Sequence, residues 1–295
     1  MTAVTDLIRI EAHAKANLFL RVLAKEESGY HSIETLFTLL ELHDTLTVER
    51  TEQGVTLEVE GADTGAVEDN LAYRAATMVL GATGKRFGVR MRLEKRIPVR
   101  AGLGGGSADC AAALHAVNQL ADNAVPRHEI LQFASRLGSD VPFLASGAAM
   151  AIAWGRGERL YRIGAPKAAP ALLAVPNVGI DTASAYRWID AGRSESFDRG
   201  SVVFAHDAFD TWGGIGRLGG NDFEAAVFGK HPEVRKLFEQ LAETRPLLVR
   251  LSGSGSALIA LYKSDAELDG AATQIGESRQ RLIKTSTRAS PAPGP

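Results

Sequence analysis

Four glycines, at positions 102, 104, 105 and 106, stand in the segment KRIPVRAGLGGGSADCAAALHAVN, between a strand-like run and a small-residue helix. Glycine lets backbone N–H groups turn toward one point and lets a ligand approach with no Cβ in the way. The start of a helix adds unpaired N–H groups and a partial positive charge. Gly102, Leu103, Gly104, Gly105, Gly106 and Ser107 therefore suit the phosphates of a nucleotide. Gly105 is expected at a positive φ, which a β-branched side chain would disfavour. No Gly-Lys-Ser/Thr follows the glycines, so the loop is not a Walker A loop. The spacing G-x-G-G-G-S, with no early βαβ unit before it, also departs from the dinucleotide fingerprint. On these residues alone a flexible glycine turn stays open as the competing reading. Ser107 reads either as a helix cap or as a hydroxyl for Mg²⁺ or a phosphate oxygen.

Other chemistry-bearing side chains are ambiguous when taken singly. Lys15 reads as a lysine at the end of an apolar strand, reaching solvent, and Asn17 as a strand-end residue. Asp140, in LGSDVPFL, reads as a helix cap. Tyr30 and His31 follow Gly29 in a loop, either as a surface aromatic in a hairpin or as groups that stack on a flat base and bond its edge. Asn70 reads as a helix cap, Asp109 as an acid in a helix's first turn, and Ser252–Ser256, SGSGS, as a small-residue turn. His13, His43, His115, His128, His206 and His231 show no metal-ligand spacing, and no Cys/His cluster for zinc or G-x-S-x-G elbow occurs.

These groups need a scaffold. Leu7–Leu23 alternates in places as strands do. Residues 35–60 carry β-branched alternation broken at Gln53-Gly54. Helices are expected over LAYRAATMVLGA, DCAAALHAVNQLA and HEILQFASRLG, and a strand pair over GAAMAIAWGRGERLYRI. Beyond a Gly/Ala/Pro/Lys-rich stretch at 164–170 come a strand (ALLAVP), a helix near 183–191 and an irregular stretch to about Gly220. Helices at 221–228, 233–243 and 266–275 and strands in LLVRLSGSGSALIALY and RLIKTST close the chain. Mixed strands and helices with several adjacent strands predict α+β architecture over one doubly wound sheet. The length of 295 residues predicts two domains, read as 1–164 and 165–288, with a disordered Pro/Ala/Gly-rich tail at 289–295.

Composition narrows the classes. The formal charge of −2 argues against a broad nucleic-acid or membrane surface. The single cysteine, Cys110, cannot form an intrachain disulfide, which fits a reducing compartment. No secretory signal and no membrane span are read, so a cytoplasmic protein is expected.

The loop PVRAGLGGGSADCAAAL resembles the second motif of the GHMP kinase superfamily, roughly P-x-x-x-G-L-G-S/G-S-x-A. AHAKANLFLRV is similar to the family's first motif and RLSGSGSALIALY to its third, in the same order and spacing. Within the superfamily, SGYHSIETLF, EDNLAYRAA and LGSDVPFLASGAAMAIAWGRGERL most resemble members acting on cytidine diphosphate-linked methylerythritol. The resemblance implies an α+β, two-domain GHMP-kinase-like fold with the active site in the interdomain cleft. It implies ATP as co-substrate, Mg²⁺, a small-molecule substrate phosphorylated on its 2-hydroxyl, and no nucleic-acid or membrane partner. Lys15 and Asp140 become the catalytic pair, with aspartate accepting the alcohol proton as in protein kinases and lysine orienting it. Asn70 and Lys95 are implied near the nucleotide, alongside the 102–107 loop. Asn17, Tyr30, His31, Thr182 and Tyr186 are implied near the substrate, with the two tyrosines stacking on cytosine. A homoserine, mevalonate or sugar kinase is the second reading, which the GYH and SDVP segments disfavour. A catalytically silent nucleotide sensor is the third, and intact Lys15 and Asp140 argue against it.

Overall fold

The computed structural model describes residues 6–27, 29–84, 86–192, 204–276 and 280–290. The tail expected to be disordered lies outside the described residues from 291 onward, as does 193–203 of the stretch read as irregular.

The chain begins with two long antiparallel strands, β1 (Leu7–Lys25) and β2 (His31–Thr51), paired from Leu7↔Glu49 to Lys25↔His31. The register slips between His13 and Lys15 and again between Asn17 and Phe19. Such bulges re-aim side chains, and here they flank Lys15 and Asn17. β3 (Val55–Glu60) follows the Gln53-Gly54 turn, but it does not pair with β2. Helix α1 (Leu71–Ala82) intervenes, and β4 (Gly88–Glu94) then inserts between them, parallel to β3 and antiparallel to β2. In β4 Val89, Met91 and Leu93 are buried while Arg90 and Arg92 are exposed, the period-2 pattern of a half-buried strand.

Helix α2 (Gly105–Leu120) runs behind this sheet, followed by α3 (Arg127–Leu137) and α4 (Val141–Ser146). Buried alanines at 108, 111, 112, 113 and 116 of α2, with Ala72, Ala75 and Ala76 of α1, leave little side-chain bulk between the helices. β5 (Met150–Gly155) and β6 (Arg159–Ile163) complete the sheet in the order β3-β4-β2-β5-β6, with β1 on β2.

The second sheet has the order β10-β7-β9-β8, from β7 (Pro170–Pro176), β8 (Leu248–Leu251), β9 (Leu258–Leu261) and β10 (Gln280–Ser286). Helices α5 (Thr182–Gly192), α6 (Trp212–Arg217), α7 (Phe223–Lys230), α8 (Pro232–Glu243) and α9 (Asp265–Ile275) accompany it. The stretch read as irregular is corrected here: it holds α6 and a 3-10 turn at His206–Phe209. The side-chain hydroxyl of Thr211 caps α6 by accepting from Gly214 N, and Trp212 and Ile215 bury its apolar side. The three glycines of WGGIG hide that helix from a propensity reading.

The main core is continuous across both halves, joining Leu36, Leu93 and Leu114 to Leu173, Ile259 and Leu261. At its end β10 returns to the first sheet, where Thr287 bridges Leu40 and Arg288 N donates to Leu39 O at 2.9 Å.

Candidate active site

Lys15 is not a strand-end lysine reaching solvent. It lies inside β1 and is 3% exposed. Its backbone N donates to Leu103 O at 3.0 Å, so the strand holds the glycine loop directly. Its ammonium donates to Asn17 Oδ1 at 2.8 Å and Gly102 O at 3.1 Å, and pairs with Asp140 Oδ2 at 3.1 Å. An ammonium has three N–H groups, so these partners use all of them. Asp140 sits at the N-cap of α4 but makes no capping hydrogen bond. Its carboxylate turns to Lys15 instead and keeps 30% of its side-chain surface exposed. Asn17 is fixed in turn, its amide donating to Thr35 Oγ1 at 2.8 Å, whose hydroxyl donates to Phe19 O at 2.7 Å.

The glycine loop is built as a close approach. Gly102 and Gly104 have φ of 80° and 71°. A Cβ on Gly102 would stand 2.1 Å from Ser252 O, and one on Gly104 2.8 Å from Lys15 Cγ. Gly105 was expected at positive φ; it instead opens α2 in helical conformation, where its Cβ would meet Ile97 Cγ2 at 3.0 Å. Gly104, not Ser107, is the N-cap of α2, so Ser107 stands in the helix with its hydroxyl released from capping. The third small-residue segment closes over the loop: Ser252 Oγ donates to Gly102 O at 2.9 Å and accepts from Asn17 N at 3.3 Å.

Two cavities meet at this loop. One, of about 780 Å³, is lined by Lys15, Asn17, Tyr30, His31, Asp140, Thr182 and Tyr186 among others. The second, of about 660 Å³, is lined by Asn70, Lys95 and the run from Ile97 to Ser107. Gly102, Gly104 and Ser107 belong to both walls. The predicted residues thus divide into two groups on either side of the glycines.

In the second cavity Asn70 caps α1 by accepting from Ala72 N at 2.9 Å, and its amide donates to Thr64 Oγ1 at 3.3 Å. Lys95 lines the same wall, but its ammonium is buried between the carboxylates of Asp44 and Asp109, the latter at 2.6 Å. Those two carboxylates raise its pKa against the downward pull of burial. Asp109 is corrected from the first helical turn to the second. It is buried, with Oδ1 lacking any hydrogen-bond partner. Burial first, opposed by Lys95 and aided by Asp44, pushes its carboxyl up to about 7. Asp44, which the sequence reading missed, also accepts from Ile97 N at 2.8 Å and so anchors the strand-to-loop turn.

In the first cavity Tyr30 is 59% exposed, with the Arg156 guanidinium 4.1 Å over its ring. His31 Nε2 lies 2.7 Å from Asp190 Oδ1, which also accepts from Lys25 Nζ at 2.9 Å through its other oxygen. Burial works upward on Asp190, but the bonds and charges of Lys25 and His31 outweigh it and hold the carboxyl below its usual range. Tyr186 lies parallel to His31, ring centroids 4.6 Å apart, and edge-on to Phe223 at 4.9 Å. Burial, then the Asp140 charge, push its phenol up to about 12. Thr182 exchanges a 2.9 Å hydrogen bond with Ser254, joining α5 to the third small-residue segment. Thr182, Tyr186 and Asp190 recur at intervals of four along α5, so they share one face. That periodicity was the available signal for Asp190; Arg156 and Ser254 stood inside segments that carry the family resemblance but were not singled out, and Lys25 stood at the end of the first strand with no such mark. Cys110 is buried in α2, where burial and then the Asp109 charge push its thiol up to about 12, away from the reactive thiolate form.

Residues 70–156 match the family model described as GHMP kinases N terminal domain, and residues 205–279 match that of GHMP kinases C terminal. The chain is 38% identical over 285 residues to a 4-diphosphocytidyl-2-C-methyl-D-erythritol kinase of Solibacter usitatus, covering 95% of this chain and 89% of the relative. A kinase of the same name from Pelotomaculum thermopropionicum is 38% identical over 281 residues, 94% of this chain and 96% of the other. A crystal structure of 4-(cytidine 5'-diphospho)-2C-methyl-D-erythritol kinase superposes with a TM-score of 0.80 at 33% identity, over 95% of this chain and 99% of that one. A homoserine kinase from Cytophaga hutchinsonii shares the fold, with a TM-score of 0.68 at 18% identity over 99% and 97% of the two chains.

Proposed function

The chain belongs to the GHMP kinase family, and on that premise we propose that it transfers the γ-phosphate of ATP to the 2-hydroxyl of 4-diphosphocytidyl-2-C-methyl-D-erythritol. The observation that carries the reading is the Lys15–Asp140 pair, 3.1 Å apart, at the seam where two cavities share the glycine loop. ATP in the cavity of Asn70 would present its terminal phosphate across Gly102, Gly104 and Ser107 to an alcohol beside Asp140. There Asp140 takes the hydroxyl proton as the new O–P bond forms and the β,γ-bridging bond breaks. Lys15, its N–H groups already engaged, acts as a fixed positive charge that orients Asp140 and offsets charge on the moving phosphoryl group.

The donors fit Mg²⁺ bound mainly through phosphates and water: Ser107 offers a hydroxyl in the wall common to both cavities. Mg²⁺ there supplies charge neutralisation on the phosphates. At the far end, Tyr30 offers an exposed ring for stacking. His31, its Nε2–H given to Asp190, offers Nδ1 of its neutral form as an acceptor for the amino group that cytosine has and uracil lacks. In this reading residues 1–164 and 165–288 are the two halves bounding the cleft, and the enzyme works in the cytoplasm, where ATP is supplied.

The test is ADP release by purified protein offered the cytidyl substrate, homoserine, mevalonate and galactose in turn. Turnover with the cytidyl substrate alone, with the new phosphate placed on the 2-hydroxyl by phosphorus NMR, is the expected result. Preferential turnover of another alcohol, or nucleotide binding with no ADP formed, would refute it.

A further inference from the structure

The antiparallel pairing of β1 and β2 sets His13 opposite His43, in the open half of the hairpin and far along it from the Lys25↔His31 pair that lines the substrate cavity. His13 Nδ1 lies 3.0 Å from Leu40 O, and His43 Nδ1 lies 2.8 Å from Glu41 O. A carbonyl only accepts, so each ring carries its hydrogen on Nδ1 and leaves Nε2 with a lone pair, which in His13 faces Arg288 Nη1 at 3.2 Å. Both Nε2 atoms face one carboxylate: Glu11 Oε2 is 3.3 Å from His13 Nε2 and Oε1 is 3.7 Å from His43 Nε2. The prospective ligand atoms of Glu11, His13 and His43 all lie within 4.8 Å of one another, with the two rings edge to face at 5.2 Å. Imidazoles that bind metals are oriented in just this way, by giving their other N–H to a carbonyl or carboxylate.

We propose that Glu11, His13 and His43 bind one late first-row divalent cation, typified by Zn²⁺, at a site separate from the kinase centre. Two imidazoles and a carboxylate suit Zn²⁺, and with a water they complete a tetrahedron. Mg²⁺, which takes oxygen ligands, is excluded by the same donors. Other charges at the site are Glu41 and Arg288. Arg288 Nη1 is 3.2 Å from His13 Nε2 and donates to Glu41 Oε2 at 2.7 Å. A bound cation displaces Arg288 from the His13 lone pair and leaves it on Glu41. Arg288 also bonds Leu39 through its backbone N. The cation therefore sits where the C-terminal strand returns to the first sheet, and it ties β1 to β2 beside that return.

Calorimetric titration of untagged, nucleotide-free protein with ZnCl₂ tests this, alongside Glu11→Gln and His43→Gln, both at accessible positions, with circular dichroism confirming their fold. Wild type is expected to bind one Zn²⁺ per chain, and each variant to bind it at least about tenfold more weakly, since losing even a supporting partner costs about 10–100-fold. No saturable binding, wild-type affinity in both variants, or equal binding of MgCl₂ would overturn the proposal.

Discussion

Asp140 contributes little to holding the fold, because its carboxylate caps no helix and turns to Lys15 while partly exposed. Asp140→Asn is therefore expected to melt near the wild-type temperature while kcat falls by at least about a hundredfold, the usual range of general-base assistance. Lys15→Met should lower kcat as well, and the double variant should be little worse than the worse single one, since residues acting as a unit are non-additive. Steady-state kcat for the four proteins decides it, and a folded Asp140→Asn retaining above about a tenth of kcat would remove the aspartate as base. Tyr30→Ala should raise KM for the cytidyl substrate about tenfold or more, since stacking is worth about 1–3 kcal/mol per base. The KM for ATP should stay unchanged, and equal weakening of both substrates would make Tyr30 structural. Asp109 predicts a pH effect. Its folded pKa, raised by burial to about 7, stands above the unfolded value of about 3.9. The native state therefore holds the extra proton, and stability falls as pH rises between those values. Asp109→Asn should flatten the change of melting temperature between about pH 4 and 7; an unaltered slope would assign the proton elsewhere.

The glycine loop shows what an element requires of its sequence. A Cβ on Gly104 would enter the left-handed region and press on Lys15 Cγ at 2.8 Å. Gly104→Ala should cost about 1–2 kcal/mol in stability. It should lower kcat about ten- to a hundredfold, because a misplacement of about 1 Å carries that penalty. Gly106 is the control, since a Cβ there meets nothing within 4 Å. Gly106→Ala should keep its melting temperature and its kcat, with any loss confined to the KM for ATP. A Gly104→Ala enzyme with full kcat would separate the loop from the lysine. The loop's existence was readable from four clustered glycines, but which of them bear positive φ was not. That depended on Ser252 and Lys15, distant in the chain, approaching from one side only.

At the scale of the whole molecule the halves meet where Leu20 N donates to Gly220 O at 3.1 Å and Asp222 N donates to Leu20 O at 2.9 Å, and the buried Asn221 side chain shapes the segment that makes this contact. Asn221 is 4% exposed; its amide donates to Leu251 O at 2.8 Å and Gly253 O at 2.7 Å, and its oxygen accepts from Phe223 N at 3.0 Å. Asn221 also bridges Leu20 of the first sheet. Asn221→Ala should destabilise by about 2–3 kcal/mol, the cost of leaving buried carbonyls unmet. In a chain of this size that lowers the melting temperature by roughly 4–12 °C. A shift under a degree by calorimetry would show that the fastening lies elsewhere.

The order of motifs, the glycine cradle, the amphipathic helices and the α+β class were legible because each depends on neighbours within a few residues, where period and residue type carry the signal. The roles proposed for Lys15 and Asp140 rest on family resemblance; by themselves the two read as a surface lysine and a cap. Tertiary structure decided what depends on distant partners. Two bulges turn Lys15 and Asn17 inward, and β4 inserts between β2 and β3 where a sequence turn alone predicts neighbours. Asp44, Lys95 and Asp109 form a buried charge cluster from three separate segments. Register across a long hairpin sets His13 beside His43, a pairing with no spacing to announce it. Local chemistry specifies which elements form, whereas pairing register and burial, set by the whole chain, determine which side chains meet.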